Sequence, residues 1–430
     1  MSVQLIVFIA VFFVLMLIGA PTYLALLAAG LSYCYLHGGI GAMMIMQKLF
    51  GSLDNFVFLA VPMFMLSGII MNCGGVTDRI FGFCRALLGH FRGGLAYVNV
   101  AASVLFSGMS GSALADVGGL GRVELHAMHE EGYDDSISIG ITSASSTMGP
   151  IIPPSIPMVV YGSAASVSVG ALFVAGIVPG LIIAVMLCGS VFILSRVKHW
   201  PVHKKATGKE IWTALKRGFF ALLMPVIIMG GIWTGYFTPT EASAIAIAYV
   251  LLVVLVIYKD MKPAEIPGVL KETVSSVGPA MAIVSAASLF GWVLQFERLD
   301  QALLNGLLSV TNNKYVILLL LNLILLAFGM LMDSAPVILL LVPVFLPLTR
   351  LLGINEIHLG IIVVLNLMIG LMTPPVGQSL FILSSVTKRS FGQICKDTSP
   401  WLIPLFISLM IVTYCEDLVL LIPRLLHMTV

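Results

Sequence analysis

Two short stretches of the 430-residue chain combine residue types that could coordinate a cation. Both contain the pattern Gly-x3-Pro-Pro, at Gly149–Pro154 and at Gly370–Pro375, and the two copies lie 221 residues apart. A proline has no N–H to donate, so the carbonyl four residues before it loses its helical partner. The carbonyls freed in this way belong to Gly149, Pro150, Gly370 and Leu371. Such carbonyls coordinate Na⁺ in broken membrane helices, so the pattern predicts a duplicated ion site.

Hydroxyl and carboxyl groups that could complete the two sites occur in two further segments. The Gly-rich segment SGMSGSALAD contains Ser107, Ser110 and Ser112, and the segment MDSAP contains Asp333 and Ser334. Asp333 is the only ionisable residue in the apolar tract LLLLNLILLAFGMLMDSAPVILLLVPVFLPL, where a charge is costly and is therefore a candidate for function. Two structural readings stay open, because small serines also serve helix packing and a carboxyl can be neutral and hydrogen-bonded.

The composition indicates that these segments lie in an integral membrane protein. Hydrophobic residues make up 59% of the chain, charged residues 10%, and the mean hydropathy is +1.07, well above the range of soluble domains. Several apolar runs approach the roughly 20 residues of a spanning helix, and their continuity excludes alternating barrel strands. The main runs are Val3–Ile18, Phe56–Met71, Ala171–Leu194, Ala244–Tyr258, Tyr315–Met332 and Trp401–Val412. Irregular backbone at membrane depth therefore has to face protein or a water-filled cavity.

Other features of the sequence argue against an enzyme and against a nucleic-acid partner. The six cysteines are scattered without metal-site spacing, and a net charge of +2 gives no sign of nucleic-acid binding. GMSGS lacks the last glycine of the G-x-S-x-G motif, and HAMHE is neither H-E-x-x-H nor H-x-x-E-H. We expect HAMHE and the following EEGYDD to form the polar, cytoplasmic end of a hairpin.

A polar segment divides the chain into two similar halves. Ser195–Arg217 carries seven Lys or Arg residues and is expected to be a cytoplasmic linker. Gly108-Met109 and Gly329-Met330 share the offset of the two proline patterns, which indicates an internal repeat. The predicted boundaries are 1–195 for the first half (hairpin about 94–125, broken helix about 136–162), 196–217 for the linker and 218–430 for the second half (hairpin about 315–350, broken helix about 357–385).

The predicted fold is an all-α polytopic membrane protein with about ten spanning helices, two re-entrant hairpins and two broken helices. Five crossings per half make the repeat inverted, and the predicted orientation places 17 of the 22 Lys and Arg residues on the cytoplasmic side. No Lys or Arg lies between Arg92 and Arg122 or inside the predicted broken helices. An anionic substrate would then depend on helix dipoles, hydroxyls, bound Na⁺ or a rim residue such as Arg122, so we expect weak binding without sodium.

Five segments of the sequence resemble one known family. FSGMSGSALADVGGLG, ITSASSTMGPIIPPSIPMVVYG, TPTEASAIA, LMDSAPVILLLVPVFLPL and GLMTPPVGQSLF resemble, in this order, segments of the large membrane subunit of tripartite ATP-independent periplasmic (TRAP) transporters, the DctM-like permeases. The resemblance extends over nearly the whole chain. It implies an elevator transporter of the ion-transporter superfamily in the bacterial inner membrane, in which a scaffold carries a sliding transport domain.

The resemblance also implies partners, a coupling ion and a substrate class. It implies a separate small membrane subunit of four helices, a periplasmic substrate-binding protein and the surrounding membrane lipid. The substrate would be an organic acid, with sialic acid favoured and C4-dicarboxylates next. The first implied Na⁺ site consists of Ser110, Ser112, Gly149, Ile152 and Pro154. The second consists of Gly329, Asp333, Ser334, Gly370, Thr373 and Pro375, and the substrate contacts are Ser112, Asp116, Ser155, Thr147 and Gln378.

Two rival functions remain to be weighed. A single-component dicarboxylate or citrate carrier of the same superfamily could be coupled to Na⁺, or to protons through Asp333 and Asp116. A purely structural membrane subunit would not require an intramembrane acid or duplicated broken helices. Transport by this chain alone would favour the single-component carrier.

Overall fold

The computed structural model describes residues 2–198, 200, 202 and 204–428, without the side chains of residues 300, 303, 304, 307 and 310. These described residues form helices and connecting turns with no β-strand, which confirms the all-α prediction. In the first half the helices are α1 (Val3–Leu17), α2 (Thr22–His37), α3 (Ala42–Gly51), α4 (Ala60–Cys73, after a 3₁₀ turn at Phe56–Leu59), α5 (Val76–Leu88), α6 (Gly94–Ser110), α7 (Ala113–Gly118), α8 (Leu120–Glu130), α9 (Asp135–Ser146), α10 (Ile156–Ala165) and α11 (Val169–Val197).

The second half continues the same type of structure. Its helices are α12 (Gly208–Trp233), α13 (Pro239–Leu251, continued as a π-helix over Leu252–Tyr258), α14 (Ile266–Phe296, after a 3₁₀ turn at Pro263–Glu265), α15 (Leu299–Val310), α16 (Lys314–Gly329), α17 (Ser334–Leu351), α18 (Glu356–Leu371), α19 (Gln378–Thr387), α20 (Phe391–Thr398, followed by a 3₁₀ turn at Ser399–Trp401), α21 (Leu402–Tyr414), α22 (Glu416–Val419) and α23 (Leu421–Leu425).

Local sequence signals determine where several of these helices begin. The Thr207 hydroxyl accepts from the Glu210 amide at 3.3 Å, and the Glu210 carboxylate accepts from the Thr207 amide at 2.7 Å. This capping box satisfies two amides that a helix start leaves unpaired. It starts α12 at Gly208, inside the polar segment expected to be a linker, and α11 extends into the same segment as far as Val197.

Membrane-spanning candidates fall into two length classes. Seven helical segments among the described residues are long and apolar enough to cross a membrane. The shorter apolar helices include α6, α10, α16, α18 and α19, which border the predicted hairpin tips and helix breaks. Interrupting a helix at mid-membrane halves its length, so these segments are too short to count as full spans. The expected number of ten crossings stays a prediction.

Both halves contain the same order of elements around these interruptions. In the first half, α6 turns at Gly111 and Ser112 into α7 and α8, and α9 is separated from α10 by residues 147–155. In the second half, α16 turns at residues 330–333 into α17, and α18 is separated from α19 by residues 372–377. The halves differ in one respect, because the outgoing arm is interrupted at Gly119 in the first half and is continuous in the second.

Helix packing divides the protein into two groups, and each half contributes to both. In the first helix group, α1 packs on α2, α2 on α14, α4 on α13 and α5 on α12. In the second helix group, α6, α8 and α20 pack on α9, α10 packs on α17, α16 on α18, and α11 on α21. The groups meet mainly where α5 contacts α6 and α14 contacts α17. The hairpins and broken helices therefore share the second group, on one side of this seam.

Candidate ion and substrate site

The first hairpin tip is packed directly against the first helix break. Gly111 has a positive φ of 61°, and its carbonyl accepts a hydrogen bond from the Ile156 amide at 3.3 Å. A Cβ on Gly111 would lie 2.6 Å from the Pro154 carbonyl oxygen, and one on Gly149 would lie 3.3 Å from the Ser112 carbonyl. Glycine at these positions gives both the left-handed turn and the close backbone approach.

Carbonyl oxygens at this first break are only partly used. Within the described part of the chain, the Gly149 carbonyl accepts no hydrogen bond, as the proline spacing predicts. The Pro150 carbonyl, which loses its helical partner to Pro154, instead accepts from the Ser155 hydroxyl. The Ser110 hydroxyl is buried and has no hydrogen-bond partner in the described part of the chain. Two oxygen ligands thus remain available close to the tip, beside Ser112.

The remaining members of the first predicted Na⁺ set lie in the same break. Ile152 and Pro154 follow Gly149 within residues 147–155, and the side chain of Ile152 is directed towards Gly180 of α11. Pro154 is buried and its carbonyl faces Gly111. The Pro153–Pro154 bond is cis. The structure therefore brings four of the five predicted residues into one tip-and-break contact, with Ile152 beside it.

The second hairpin tip makes an equivalent contact with the second break, and Gly370 is closer to its partner backbone than Gly149 is. A Cβ on Gly370 would lie 2.6 Å from the carbonyl carbon and 2.9 Å from the carbonyl oxygen of Gly329. The Gly377 amide donates to the Met330 carbonyl at 3.2 Å. Pro375 is exposed, whereas its counterpart Pro154 is buried, so the second contact is more open to its surroundings. The Pro374–Pro375 bond is also cis.

The carbonyls of the second break differ from the expectation. Gly370 was expected to have an unpaired carbonyl, but this oxygen accepts from the Thr373 amide at 2.9 Å. The Leu371 carbonyl accepts from the Ser379 hydroxyl at 2.7 Å, in the manner of Pro150 and Ser155. The backbone tightens by one residue after the break, so a three-residue bond replaces the lost four-residue bond. Each carbonyl keeps a second lone pair for another ligand.

Asp333 begins α17 at the second tip. Its Oδ1 accepts from the amide of Ser334 at 2.6 Å and from the Ser334 hydroxyl at 3.2 Å. Within the described residues no hydrogen bond reaches Oδ2. The carboxyl is partly exposed rather than fully buried as the apolar tract suggested, because the tip is a turn between two helices. Its helix-capping bonds fix the carboxylate while leaving one oxygen for a cation.

The predicted substrate residues divide by exposure. Ser112 and Gln378 are partly exposed, whereas Asp116, Thr147 and Ser155 are buried. The Thr147 hydroxyl donates to the Ala144 carbonyl at 2.6 Å. Ser155 is likewise engaged with Pro150, so Ser112 and Gln378 are the members accessible to a substrate in this structure.

A buried polar network beside the first tip was missed from the sequence. The Asn99 amide donates to Glu124 at 2.8 Å and to Thr142 at 2.7 Å, and the Ser145 hydroxyl donates to the Asn99 side-chain oxygen at 2.7 Å. The second carboxyl oxygen of Glu124 and both oxygens of Asp116 make no hydrogen bond of good geometry within the described chain, although the Ser103 hydroxyl lies near Asp116. Glu124 lies two residues before the polar segment that is expected at the cytoplasmic surface, so nothing in the sequence indicated that its side chain is buried.

An ionic cluster connects the two broken helices at their predicted cytoplasmic ends. Arg389, after α19, forms ion pairs with Asp135 at the start of α9 and with Asp397 of α20. His129 also contacts Asp135, with 3.0 Å between Nδ1 and Oδ1. The hydrogen bond from His129 and the charge of Arg389 hold the pKa of Asp135 below its usual value. The cluster joins elements from the first and second halves.

The sequence matches one family profile along nearly its whole length. The profile describes the "Tripartite ATP-independent periplasmic transporter, DctM component", and the match covers residues 9–418. The chain belongs to this family. It is therefore a TRAP large permease, a transporter subunit rather than an enzyme, and a multi-pass protein of the bacterial inner membrane.

Curated relatives of this permease are named for different organic acids, among them sialic acid and C4-dicarboxylates. The chain is 41% identical to the sialic acid TRAP transporter large permease protein SiaM of Vibrio cholerae, with 96% of each chain covered. It is also 41% identical to the C4-dicarboxylate TRAP transporter large permease protein DctM of Pseudomonas aeruginosa, covering 89% of this chain and 90% of the relative. Relatives of this family imply a TRAP system with a small membrane subunit and a periplasmic binding protein.

A solved structure supports the fold independently of sequence. The YdaH transporter of Alcanivorax borkumensis superimposes with a TM-score of 0.63, covering 95% of this chain and 97% of that one, at 13% identity. At such low identity the similarity concerns only the fold. The predicted transporter fold class is thereby confirmed.

Proposed function

We propose that this TRAP permease imports an organic acid anion together with Na⁺, and that the anion is sialic acid. The observation that supports the proposal is the contact of each hairpin tip with its own helix break. Both contacts gather backbone carbonyls with side-chain oxygens, which are the ligands that a small hard cation prefers. The transported ion would lie near Ser110, Ser112 and Gly149 in the first half and near Asp333 and Gly370 in the second.

The choice of sialic acid follows from the relatives. The Vibrio cholerae SiaM and the Haemophilus influenzae SiaT are both named sialic acid TRAP permeases. The Pseudomonas aeruginosa DctM makes a C4-dicarboxylate the second candidate. Ser112 and Gln378, the accessible members of the predicted substrate set, provide hydroxyl and amide groups rather than cations. Sodium would therefore supply the positive charge that an anion needs.

The division into two helix groups supports an elevator movement. The first helix group would form the scaffold, and the second, which contains both tips and both breaks, would slide as a unit. The Arg389 cluster, which joins α9 to α19 and α20, would keep the moving unit together. A separate small subunit of four helices would extend the scaffold, and a periplasmic binding protein would deliver the substrate.

Reconstitution in liposomes tests this proposal. The chain, a TRAP small subunit and a sialic acid binding protein are incorporated, and labelled sialic acid uptake is followed with an inward Na⁺ or K⁺ gradient. We expect uptake with Na⁺ only, and its loss in Asp333→Ala. Asp417→Asn is the matched control, because that side chain is highly exposed and pairs only with Arg424 among the described residues.

Three other outcomes would change the proposal. Equal uptake in K⁺ would refute sodium coupling. Uptake of succinate in preference to sialic acid would assign the chain to the C4-dicarboxylate class. Full uptake without the small subunit and the binding protein would favour the single-component carrier.

A further inference from the structure

A cavity with a mixed polar and apolar lining lies at the seam between the two helix groups, away from the tip-and-break contacts. Its volume is about 340 Å³, within the range of small-molecule sites. We call it the seam pocket. Its polar lining consists of Lys48, Ser52, Asp54, Asn55, Ser163, Ser288, Trp292 and Gln295. These residues come from α3 and the following loop, from α10 and from α14, and α17 closes the opposite wall.

The pocket lies towards the periplasm from the candidate ion site. Ser163 of α10 follows the first break at Ser155 by eight residues, which is about 12 Å along a helix. Leu340 of α17 follows the second tip at Asp333 by seven residues, or about 10 Å. In the orientation set by the positive charges, both helices run outward from the tips. The pocket is thus placed on the path between the periplasm and the ion site.

Its charges favour an anion that also carries hydroxyl groups. Lys48 is half-buried and has no ion-pair partner among the described residues, including Asp54 across the same cavity. The Asp54 carboxylate is an acceptor that repels a bare dianion but takes hydrogen bonds from hydroxyls. Serine hydroxyls and the Gln295 amide can serve both kinds of group. The Trp292 ring provides the flat apolar surface on which a sugar ring can rest.

A backbone oxygen adds a further acceptor on the moving side. Pro343 cannot donate to the Leu339 carbonyl four residues earlier, and both residues line the pocket. Gly291 of α14 brings the opposite wall close, since a Cβ there would lie 3.6 Å from that carbonyl oxygen. The two walls belong to different helix groups, so sliding of one group past the other would open or divide the pocket.

We propose that the seam pocket is a periplasmic receiving site for a hydroxylated monocarboxylate, and that Lys48 binds its carboxylate before it reaches the ion site. The substrate class rests on the proposed function, whereas the pocket itself contains none of the predicted Na⁺ ligands. Binding in the seam pocket is therefore independent of sodium. The same anion at the tip-and-break site requires sodium.

The test uses the intact permease with its small subunit in nanodiscs. Tryptophan fluorescence is titrated with N-acetylneuraminate in sodium-free K⁺ buffer, with N-acetylmannosamine and succinate as probes that lack the carboxylate or the hydroxyl groups. We expect a saturable change with N-acetylneuraminate only, absent in Trp292→Phe. Lys48→Gln raises the Kd for N-acetylneuraminate about ten-fold, which corresponds to the loss of one charge-assisted hydrogen bond in a partly exposed site. Lys48→Arg restores the affinity.

Uptake measurements separate this proposal from the sodium proposal. In proteoliposomes, Lys48→Gln raises the KM for sialic acid about ten-fold, as in binding, and leaves the half-saturating Na⁺ concentration unchanged. Lys314→Gln, which removes a periplasmic cation paired with Glu416, is the matched control. Binding in K⁺ buffer that survives Asp333→Ala supports the receiving site even where sodium coupling fails. The receiving-site proposal would be overturned if Lys48→Gln kept sodium-driven uptake with an unchanged KM and an unchanged fluorescence titration. Binding of succinate as tight as that of N-acetylneuraminate would also overturn it.

Discussion

The contact between Gly329 and Gly370 allows a quantitative prediction for a single methyl group. A Cβ on Gly370 would lie 2.6 Å from the Gly329 carbonyl carbon and 2.7 Å from its Cα. Carbon atoms pack at about 3.5 Å or more, so the second tip would have to move by about 1 Å. Both partners are backbone, which leaves no flexible side chain to absorb the overlap.

The expected effect of Gly370→Ala is on ion affinity more than on folding. Overpacking lowers the free energy of unfolding by about 1–3 kcal/mol, and the better helix propensity of alanine offsets about 1 kcal/mol of this loss. Ion ligands tolerate only about 0.5 Å of displacement, and an error of about 1 Å costs on the order of a hundred-fold. We therefore expect the Na⁺ concentration for half-maximal uptake to rise by about that factor, with a small decrease in melting temperature.

Two further glycines make this measurement decisive. Gly149→Ala places its Cβ 3.2–3.3 Å from its neighbours, so its effect on half-saturation should be several-fold smaller than that of Gly370→Ala. Gly230→Ala in α12 meets no atom within 4 Å and should leave uptake unchanged. Unaltered sodium dependence in Gly370→Ala, or a larger effect of Gly149→Ala, would refute the reasoning from the tip-and-break contacts.

Three other perturbations follow from the described contacts. Ser110→Ala removes a buried hydroxyl that has no hydrogen-bond partner among the described residues, so we expect lower Na⁺ affinity in the uptake assay at unchanged or higher melting temperature. Asp135→Asn weakens a partly exposed ion pair with Arg389 and should lower the free energy of unfolding by about 1 kcal/mol or less at pH 7. Because His129 and Arg389 lower the folded pKa of Asp135, this stabilisation is present above its unfolded pKa of about 4, and a pH series of melting temperatures should lose it as pH falls below that value. Glu124→Ala leaves buried donors unpaired and should destabilise by about 1–3 kcal/mol, whereas Glu124→Gln should recover most of the loss in chemical unfolding.

The local irregularities could be predicted from sequence because they depend on covalent geometry. Pro153, Pro154, Pro374 and Pro375 cannot donate a backbone hydrogen bond wherever the chain folds, and the structure interrupts a helix at both pairs. Long apolar runs likewise predicted helices, because in the hydrocarbon core of a membrane the backbone N–H and C=O groups must form hydrogen bonds with each other. Which donor replaces the lost hydrogen bond depends on the local turn and on the tertiary structure. The sequence therefore did not predict that the Thr373 amide and the Ser379 hydroxyl donate to the carbonyls of the second break.

The helix groups and the buried network were beyond prediction for a related reason. The contact of α14 with α2 and of α12 with α5 joins segments from opposite halves, which a single sequence does not reveal. Glu124 is separated from His126 by one residue, yet the first is buried and the second exposed, because they face opposite sides of α8. The polarity of this stretch of sequence therefore does not reveal that one of its carboxyl groups is buried.

The two tip-and-break contacts are related by the repeat but differ chemically. The first offers neutral oxygens, with Ser110 buried and the Gly149 carbonyl unpaired among the described residues. The second offers a carboxylate, Asp333, in a partly exposed turn, beside a Gly370 carbonyl already bonded to Thr373. A cation at the second contact would offset the formal charge of Asp333, whereas the first contact itself contains no carboxylate and the buried Asp116 lies beside it, four residues after Ser112. An anionic substrate near Ser112 would provide the missing negative charge. In the proposed sodium-coupled transport, the coupling between substrate and ion would fall mainly on the first contact, because there each would stabilise the other by neutralisation.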